Sequence, residues 1–567
     1  MHFEGAYGQY ENRILPVQGI DFRPRQVHEL KPISHDRIIS RRFPATPQPG
    51  DNTTPGPPRI AFSFGHPPSR IEGRCPGDRP RPATCYNLTR TGEDVVRLDF
   101  RFEEIDAIIN ARSLAIVGAS GKPLKFGSLF TASQLAFGFS GPLYLVNPSE
   151  KEIMGHPCYP DLASLPEVPE LVYIAIPAYR SLDILRECAR LGVKGVVLLA
   201  AGFREMGDKG AQLEMEAVSI ARNGGFRIIG PNCFGIYNPR NRLTLLPGHD
   251  FSGVPGEVAF ISQSGGFSAQ VARMAGDLGI HFSAVVSYGN GADLNEIDLL
   301  RYFDLDPATR VISAYLEGTS DGRGLFEVLK AAASRKDVVI WKVGKSESSR
   351  RAAASHTGSL AGATSLWEGL FRQCGVIEVS GVDELCDVLL ALKHLGRRPG
   401  RRILISGGGG GLGAYAGDLA EAEGLEVPLL HGDAESRLRV ILDYPGASVG
   451  NPLDIGTPLI HLPLFEAAMR EAALNPTTDA LVFDLALNFA LGLAGEAGVE
   501  AVADVLIKVR RETGKPVILV AYSRALRLGD MAVEELSRRV RDKLLSGGVL
   551  VYPSMPRAMR ALSLVNR

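Results

Sequence analysis

The chain has 567 residues, 45% hydrophobic and 22% charged, with a formal net charge of −1. This is an ordinary globular balance, with neither the basic excess of a nucleic-acid binder nor an apolar run of membrane-spanning length. Its length predicts about three or four domains. Seven cysteines are scattered without a C-x-x-C pair, which argues against a disulfide framework and a zinc site and makes a reducing, cytoplasmic setting the default.

Residues 1–98 differ in composition from all that follows. Proline recurs (Pro44, Pro47, Pro49, Pro55, Pro57, Pro58, Pro67, Pro68), arginine is frequent and apolar periodicity is absent. Such a segment buries too little apolar surface to offset its chain entropy, so a disordered tail is expected.

From residue 99 to 250 short apolar runs alternate with amphipathic stretches. The runs are Ser113–Val117, Leu143–Val146, Leu171–Ile176, Gly195–Leu199 and Phe226–Ile229, and helices are predicted from Gly127 and at 180–191 and 209–223. The alternation predicts a parallel, doubly wound sheet. Gly118-Ala119-Ser120 falls where a Rossmann fold binds phosphate at a helix N-terminus. Nicotinamide binding is disfavoured: G-x-G-x-x-G spacing is missing, and Asn147-Pro148 stands where an acidic residue would meet the ribose. Ile176-Pro177 and Gly230-Pro231-Asn232-Cys233 also follow strands, at the edge where open α/β sheets bind ligands.

A second domain is expected over 251–395. The run Glu257–Ile261 leads into Ser262-Gln263-Ser264-Gly265-Gly266 and a helix, as an anion site or a tight strand-to-helix turn. Val311–Leu316 ends in Glu317, a carboxylate at a strand terminus. After the run Val338–Val343 comes Ser355-His356-Thr357-Gly358-Ser359, a lone histidine among small residues, suited either to covalent chemistry or to a surface connector. A third domain, 396–567, repeats the strand–turn–helix unit: Arg402–Ser406, then five glycines from Gly407 to Gly411, then a helix. Five glycines cost the chain much entropy, which argues against a mere connector. The paired helix N-termini are suited to holding a negatively charged, transferable group.

Taken in order, Val117-Gly118-Ala119-Ser120, Gly230-Pro231-Asn232-Cys233, Ile261-Ser262-Gln263-Ser264-Gly265, Ser287-Tyr288-Gly289-Asn290, Ser355-His356-Thr357-Gly358 and Asn451-Pro452-Leu453-Asp454 resemble the α component of the nucleoside-diphosphate-forming acyl-CoA synthetases, the superfamily of succinyl-CoA synthetase. The resemblance runs from about 100 to 567. It implies an α/β chain with a Rossmann-like CoA-binding domain and two flavodoxin-like domains. Gly118, Ala119, Ser120, Lys125, Asn147, Pro148, Ile176, Pro177, Asn232 and Cys233 would bind coenzyme A. His356 would carry a phosphoryl group, oriented by Glu317, with Ser264, Gly265 and Gly266 and Gly408, Gly409, Gly410 and Gly411 opening two helices that cradle the phosphate.

The implied reaction is acid + CoA + ATP ⇌ acyl-CoA + ADP + phosphate, on a small carboxylic acid. No Walker G-x-x-x-x-G-K-[ST] motif occurs and no room is found for an ATP-grasp module. A separate ATP-grasp β subunit is therefore expected to supply ATP/ADP and Mg2+, in an αβ or α2β2 assembly. The competing expectation is a non-catalytic CoA-binding or regulatory protein that retains the fold; an intact His356, Glu317 and both glycine turns favour the enzyme.

Overall fold

The computed structural model describes residues 100–567 except 124, 350, 352–362, 457–460, 524 and 526. The predicted tail and the His356 segment lie outside the described residues. The described residues fall within one compact unit, built on three sheets in succession along the chain.

The first sheet holds β1 (Leu114–Val117), β2 (Leu143–Val146), β3 (Glu152–Ile153), β4 (His156–Tyr159), β5 (Leu171–Ile174), β6 (Gly195–Leu198) and β7 (Arg227–Ile229). Their order is 3-4-2-1-5-6-7. β1 pairs in parallel with β2 on one side and β5 on the other, so the chain reverses its direction of winding at β1. The four residues of β1 are all buried, as apolar runs without alternation predict for a strand covered on both faces.

The second sheet comprises β8 (Gly235–Asn238), β9 (Leu243–Thr244), β10 (Val258–Ser262), β11 (Phe282–Ser287), β12 (Val311–Leu316), β13 (Asp337–Lys342) and β14 (Ile377–Val379), in the order 14-13-12-10-11-8-9. β8 and β9 lie within the stretch grouped by sequence with the first sheet. They leave it after Cys233, and β8 pairs antiparallel with β11. The third sheet, β15 (Ile403–Gly407), β16 (Leu453–Asp454), β17 (Ala480–Ala486), β18 (Val517–Tyr522) and β19 (Leu550–Tyr552), is parallel with order 16-15-17-18-19.

The cores lie between these layers. Ile116, Tyr173 and Val197 from the first sheet share one with Ile261, Val286 and Leu316 from the second. The opposite face of the second, through Phe260, Val285 and Trp341, shares another with Ile403, Ile405 and the Met555–Val565 helix. Apolar area buried at both faces is what fixes the sheets in this sequence.

Candidate functional site: a groove, a cavity and a clamped carboxylate

The turn after β1 depends on a backbone that only glycine tolerates. Gly118 has φ +86°, and a β-carbon there would lie 2.6 Å from the Ile176 side chain and 2.7 Å from the Ala175 carbonyl oxygen. A β-carbon on Gly127, in the first turn of the following helix, would lie 2.0 Å from the Gly118 carbonyl oxygen. Turn and helix therefore touch main chain to main chain. Asn147 steadies the turn from β2: its Nδ2 donates to the Ala119 carbonyl at 2.8 Å, and its Oδ1 accepts from the Ser149 N–H at 2.9 Å.

These turns open onto a groove of about 820 Å3, into which Gly118, Ser120, Lys125, Asn147, Pro148, Ile176 and Pro177 all project. Ala119 is fully buried and contributes its carbonyl to Asn147. The sequence did not single out Arg180, which lines the groove and adds a second cation to Lys125. Two cations, the N–H groups of a turn and a helix terminus suit a ligand bearing phosphates.

Phe126, Ala175 and Ile176 also wall a second cavity of about 390 Å3, where Asn232 and Cys233 lie. The two spaces thus meet at these residues. None of the described residues lining the second cavity is charged. Cys233 is buried and its thiol is pushed far up by burial, so it forms wall and not nucleophile. The cavity reaches Ser264, Gly265 and Gly266, the cap and first turn of the Gly265–Asp277 helix. Ser264 Oγ accepts from the Phe267 N–H at 3.4 Å, while Ser262 Oγ accepts from the Ser264 N–H at 3.1 Å. A side chain at Gly265 would run into the Phe234 ring, 2.8 Å away.

Glu317 follows the end of β12 and is buried. The Tyr315 hydroxyl donates to its Oε1 at 3.3 Å. Its N–H donates to Gln263 Oε1, and Lys342 Nζ donates to its carbonyl oxygen at 2.9 Å. Gln263 and Lys342 were not among the predicted site residues. The signals available were the glutamine between two turn serines, and a lysine within the otherwise apolar run from Val338 to Val343.

In the third sheet, Gly409 caps the Gly410–Ala422 helix, whose first turn holds Gly410 and Gly411; Gly408 precedes them. A β-carbon on Gly410 would lie 3.6 Å from Asp454 Oδ2. Asn451 binds β15 like a strand: its Nδ2 donates to the Ile403 carbonyl at 2.8 Å and its Oδ1 accepts from the Ile405 N–H at 3.0 Å. Among the described residues, no group of three or more His, Cys, Asp or Glu is placed to hold a metal, and no helix is long and apolar enough to cross a membrane.

Residues 112–239 match the CoA binding domain model and residues 255–392 the succinyl-CoA ligase like flavodoxin domain model. The α subunit of acetate–CoA ligase [ADP-forming] I from Pyrococcus furiosus is 34% identical over 466 residues, spanning 81% of this chain and 96% of the relative. Acetate–CoA ligase [ADP-forming] I from Archaeoglobus fulgidus is 40% identical over 62% of this chain, which spans only 50% of that longer protein. The solved dinucleotide-forming acetyl-coenzyme A synthetase 1 of Ca. Korarchaeum cryptofilum, in complex with phosphate and ADP, superposes with a TM-score of 0.69 at 32% identity, covering 81% of this chain and 96% of that one. With a phosphate-suited groove in its first sheet and a glycine-opened helix in each of the next two, the chain belongs to the α-subunit family of the ADP-forming acetate–CoA ligases, among the nucleoside-diphosphate-forming acyl-CoA synthetases.

Proposed function

We propose that this chain is the CoA-binding, phosphohistidine-bearing component of an acyl-CoA synthetase, catalysing acid + CoA + ATP ⇌ acyl-CoA + ADP + phosphate with an ATP-grasp β subunit. The observation that carries the reading is the meeting of the phosphate-suited groove with the uncharged cavity that ends at Ser264–Gly266. CoA lies in the groove, with Lys125 and Arg180 toward its phosphates, and the thioester reaches the cavity. Starting from acyl-CoA, phosphate at the helix N-terminus attacks the thioester carbonyl, giving acyl phosphate and free CoA. His356 then attacks phosphorus, releasing the carboxylate and leaving phosphohistidine, which passes its phosphoryl group to ADP in the partner. Positioning and charge stabilisation dominate such transfers, and the helix termini at Ser264–Gly266 and Gly408–Gly411 are suited to both.

The nucleotide and Mg2+ belong to the partner in this reading. The α-subunit names of the relatives support a separate partner chain, and an αβ or α2β2 assembly is part of the same reading. The described cysteines, Cys158, Cys188, Cys233, Cys374 and Cys386, are free, in keeping with a cytoplasmic setting.

Intact-mass spectrometry of the purified chain with acyl-CoA and phosphate tests the reading. One acid-labile phosphoryl group is expected on wild type and none on His356→Ala. Equal mass gain in both proteins, or none with any of a range of acyl-CoAs, overturns it. CoA binding without phosphorylation would leave the non-catalytic alternative.

A further inference from the structure

The peptide group joining Glu317 to Gly318 is held from both sides by buried side chains. Its carbonyl accepts from Lys342 Nζ at 2.9 Å, and its N–H, on Gly318, donates to Gln263 Oε1 at 3.2 Å. The carbonyl and N–H of a trans peptide point in opposite directions from one rigid plane. A grip on each therefore fixes its orientation, and with it the Cα–Cβ vector from which the Glu317 carboxylate projects.

The Lys342 grip is chemically costly. The side chain is only 3% exposed, and burial lowers its ammonium to about 8, against a smaller opposing pull from Glu317. A hydrophobic residue would fill the same place without desolvating a charge. Instead the ammonium, which carries three donors, is satisfied in three directions. It donates to the carbonyls of Glu317 and Val343 and sits 4.6 Å from the centre of the Trp367 ring. Those partners come from the end of β12, the end of β13 and the Thr364–Cys374 helix. The charged groups facing it are Glu317, Glu378 on β14 and Lys345 past β13. Lys345 is itself paired with Glu378 at 2.8 Å.

We propose that Lys342 is a positioning residue: with Gln263 it clamps the Glu317–Gly318 peptide, holds the Glu317 carboxylate in place for the phosphoryl transfer proposed above, and ties that strand end to β13 and the Thr364–Cys374 helix. The assignment of Glu317 and His356 rests on the function proposed above; the clamp itself does not.

The test uses the full chain as wild type, Lys342→Met and Lys342→Arg. Phosphorylation from acyl-CoA and phosphate is followed by intact mass across pH, and amide exchange at Gly318 by mass spectrometry. Lys342→Met is expected to slow phosphorylation about a hundredfold, the loss that roughly 1 Å of misplacement produces, and to speed Gly318 exchange at least about tenfold, while the melting shift caused by CoA persists. In wild type the rate is expected to fall as pH rises through about 8, where the side chain loses its charge and one of its three donors and the grip weakens. Lys342→Arg, whose charge persists across this pH range, is expected to lack that fall. Unchanged Gly318 exchange in Lys342→Met, or the same fall in Lys342→Arg, overturns the proposal. Wild type that takes up no phosphoryl group overturns the function proposed above, and the exchange measurement still decides the clamp.

Discussion

Asp484 sits directly over Gly407: a β-carbon added to the glycine would lie 1.6 Å from the aspartate Oδ1. β15 pairs with β17 at Ser406 and Phe483, so the next residue of each strand meets face to face, and Gly407 also pairs with Asp454 on its other side. Two carboxylates thus flank one glycine at the foot of the glycine-opened helix. Gly407→Ala must displace a buried strand or its aspartate, and a loss of about 3 kcal/mol is expected, read as a lower urea midpoint.

Burial, then the neighbouring charge of Asp454, raises Asp484 to about 6. A folded-state value above the unfolded one of 3.8 means that the unfolded chain sheds this proton first as pH rises. Stability is therefore lost between about pH 4 and pH 6. Asp484→Asn is expected to raise stability by on the order of 2 kcal/mol at pH 8 and by almost nothing at pH 3.5. An equal gain at both pH values would contradict this origin.

Asn290 joins the first two sheets through a buried network. Its Nδ2 donates to Glu205 at 2.7 Å and Glu214 at 2.9 Å, while its carbonyl accepts from Arg204. Asn290→Ala leaves the buried Glu214 with a salt bridge to Arg204 at 3.4 Å and a long bond from the Arg204 N–H at 3.5 Å, but without its short side-chain donor. A loss of about 2 kcal/mol is expected in denaturant unfolding.

The contact of Gly127 with Gly118 leaves no space for a methyl group. CoA is expected to raise the melting temperature of wild type, and Gly127→Ala to push the helix off the turn that closes the groove and abolish that rise.

The uncharged cavity predicts selectivity among thioesters. A second carboxylate buried there would have no cationic partner among the lining residues. Acetyl-CoA is expected to bind at least as tightly as CoA, and succinyl-CoA more weakly than acetyl-CoA by about tenfold or more. Calorimetric titration of the three ligands checks the order.

Much of this molecule was legible locally. Residues 143–146, 171–176 and 311–316 read as strands because largely apolar runs of strand length belong to sheets covered on both faces, and β2, β5 and β12 lie there. The turn residues were legible because a missing side chain records a close approach that the sequence cannot hide. The short strands β8 and β16 were not, since Gly235–Asn238 and Leu453–Asp454 hold only two apolar residues and one.

The sequence by itself thus determined the alternating αβ class, the glycine turns and the order of the family motifs, because each depends on neighbours along the chain. Only tertiary structure decided that Asn232 and Cys233 share a cavity with Ser264–Gly266, and that Lys342 and Gln263 grip one peptide group. The second arises where three strands of the second sheet end at a common edge, and the first where that edge meets the strand ends of the first sheet. Pairing and core burial across tens to hundreds of residues set that edge, and no local pattern encodes it.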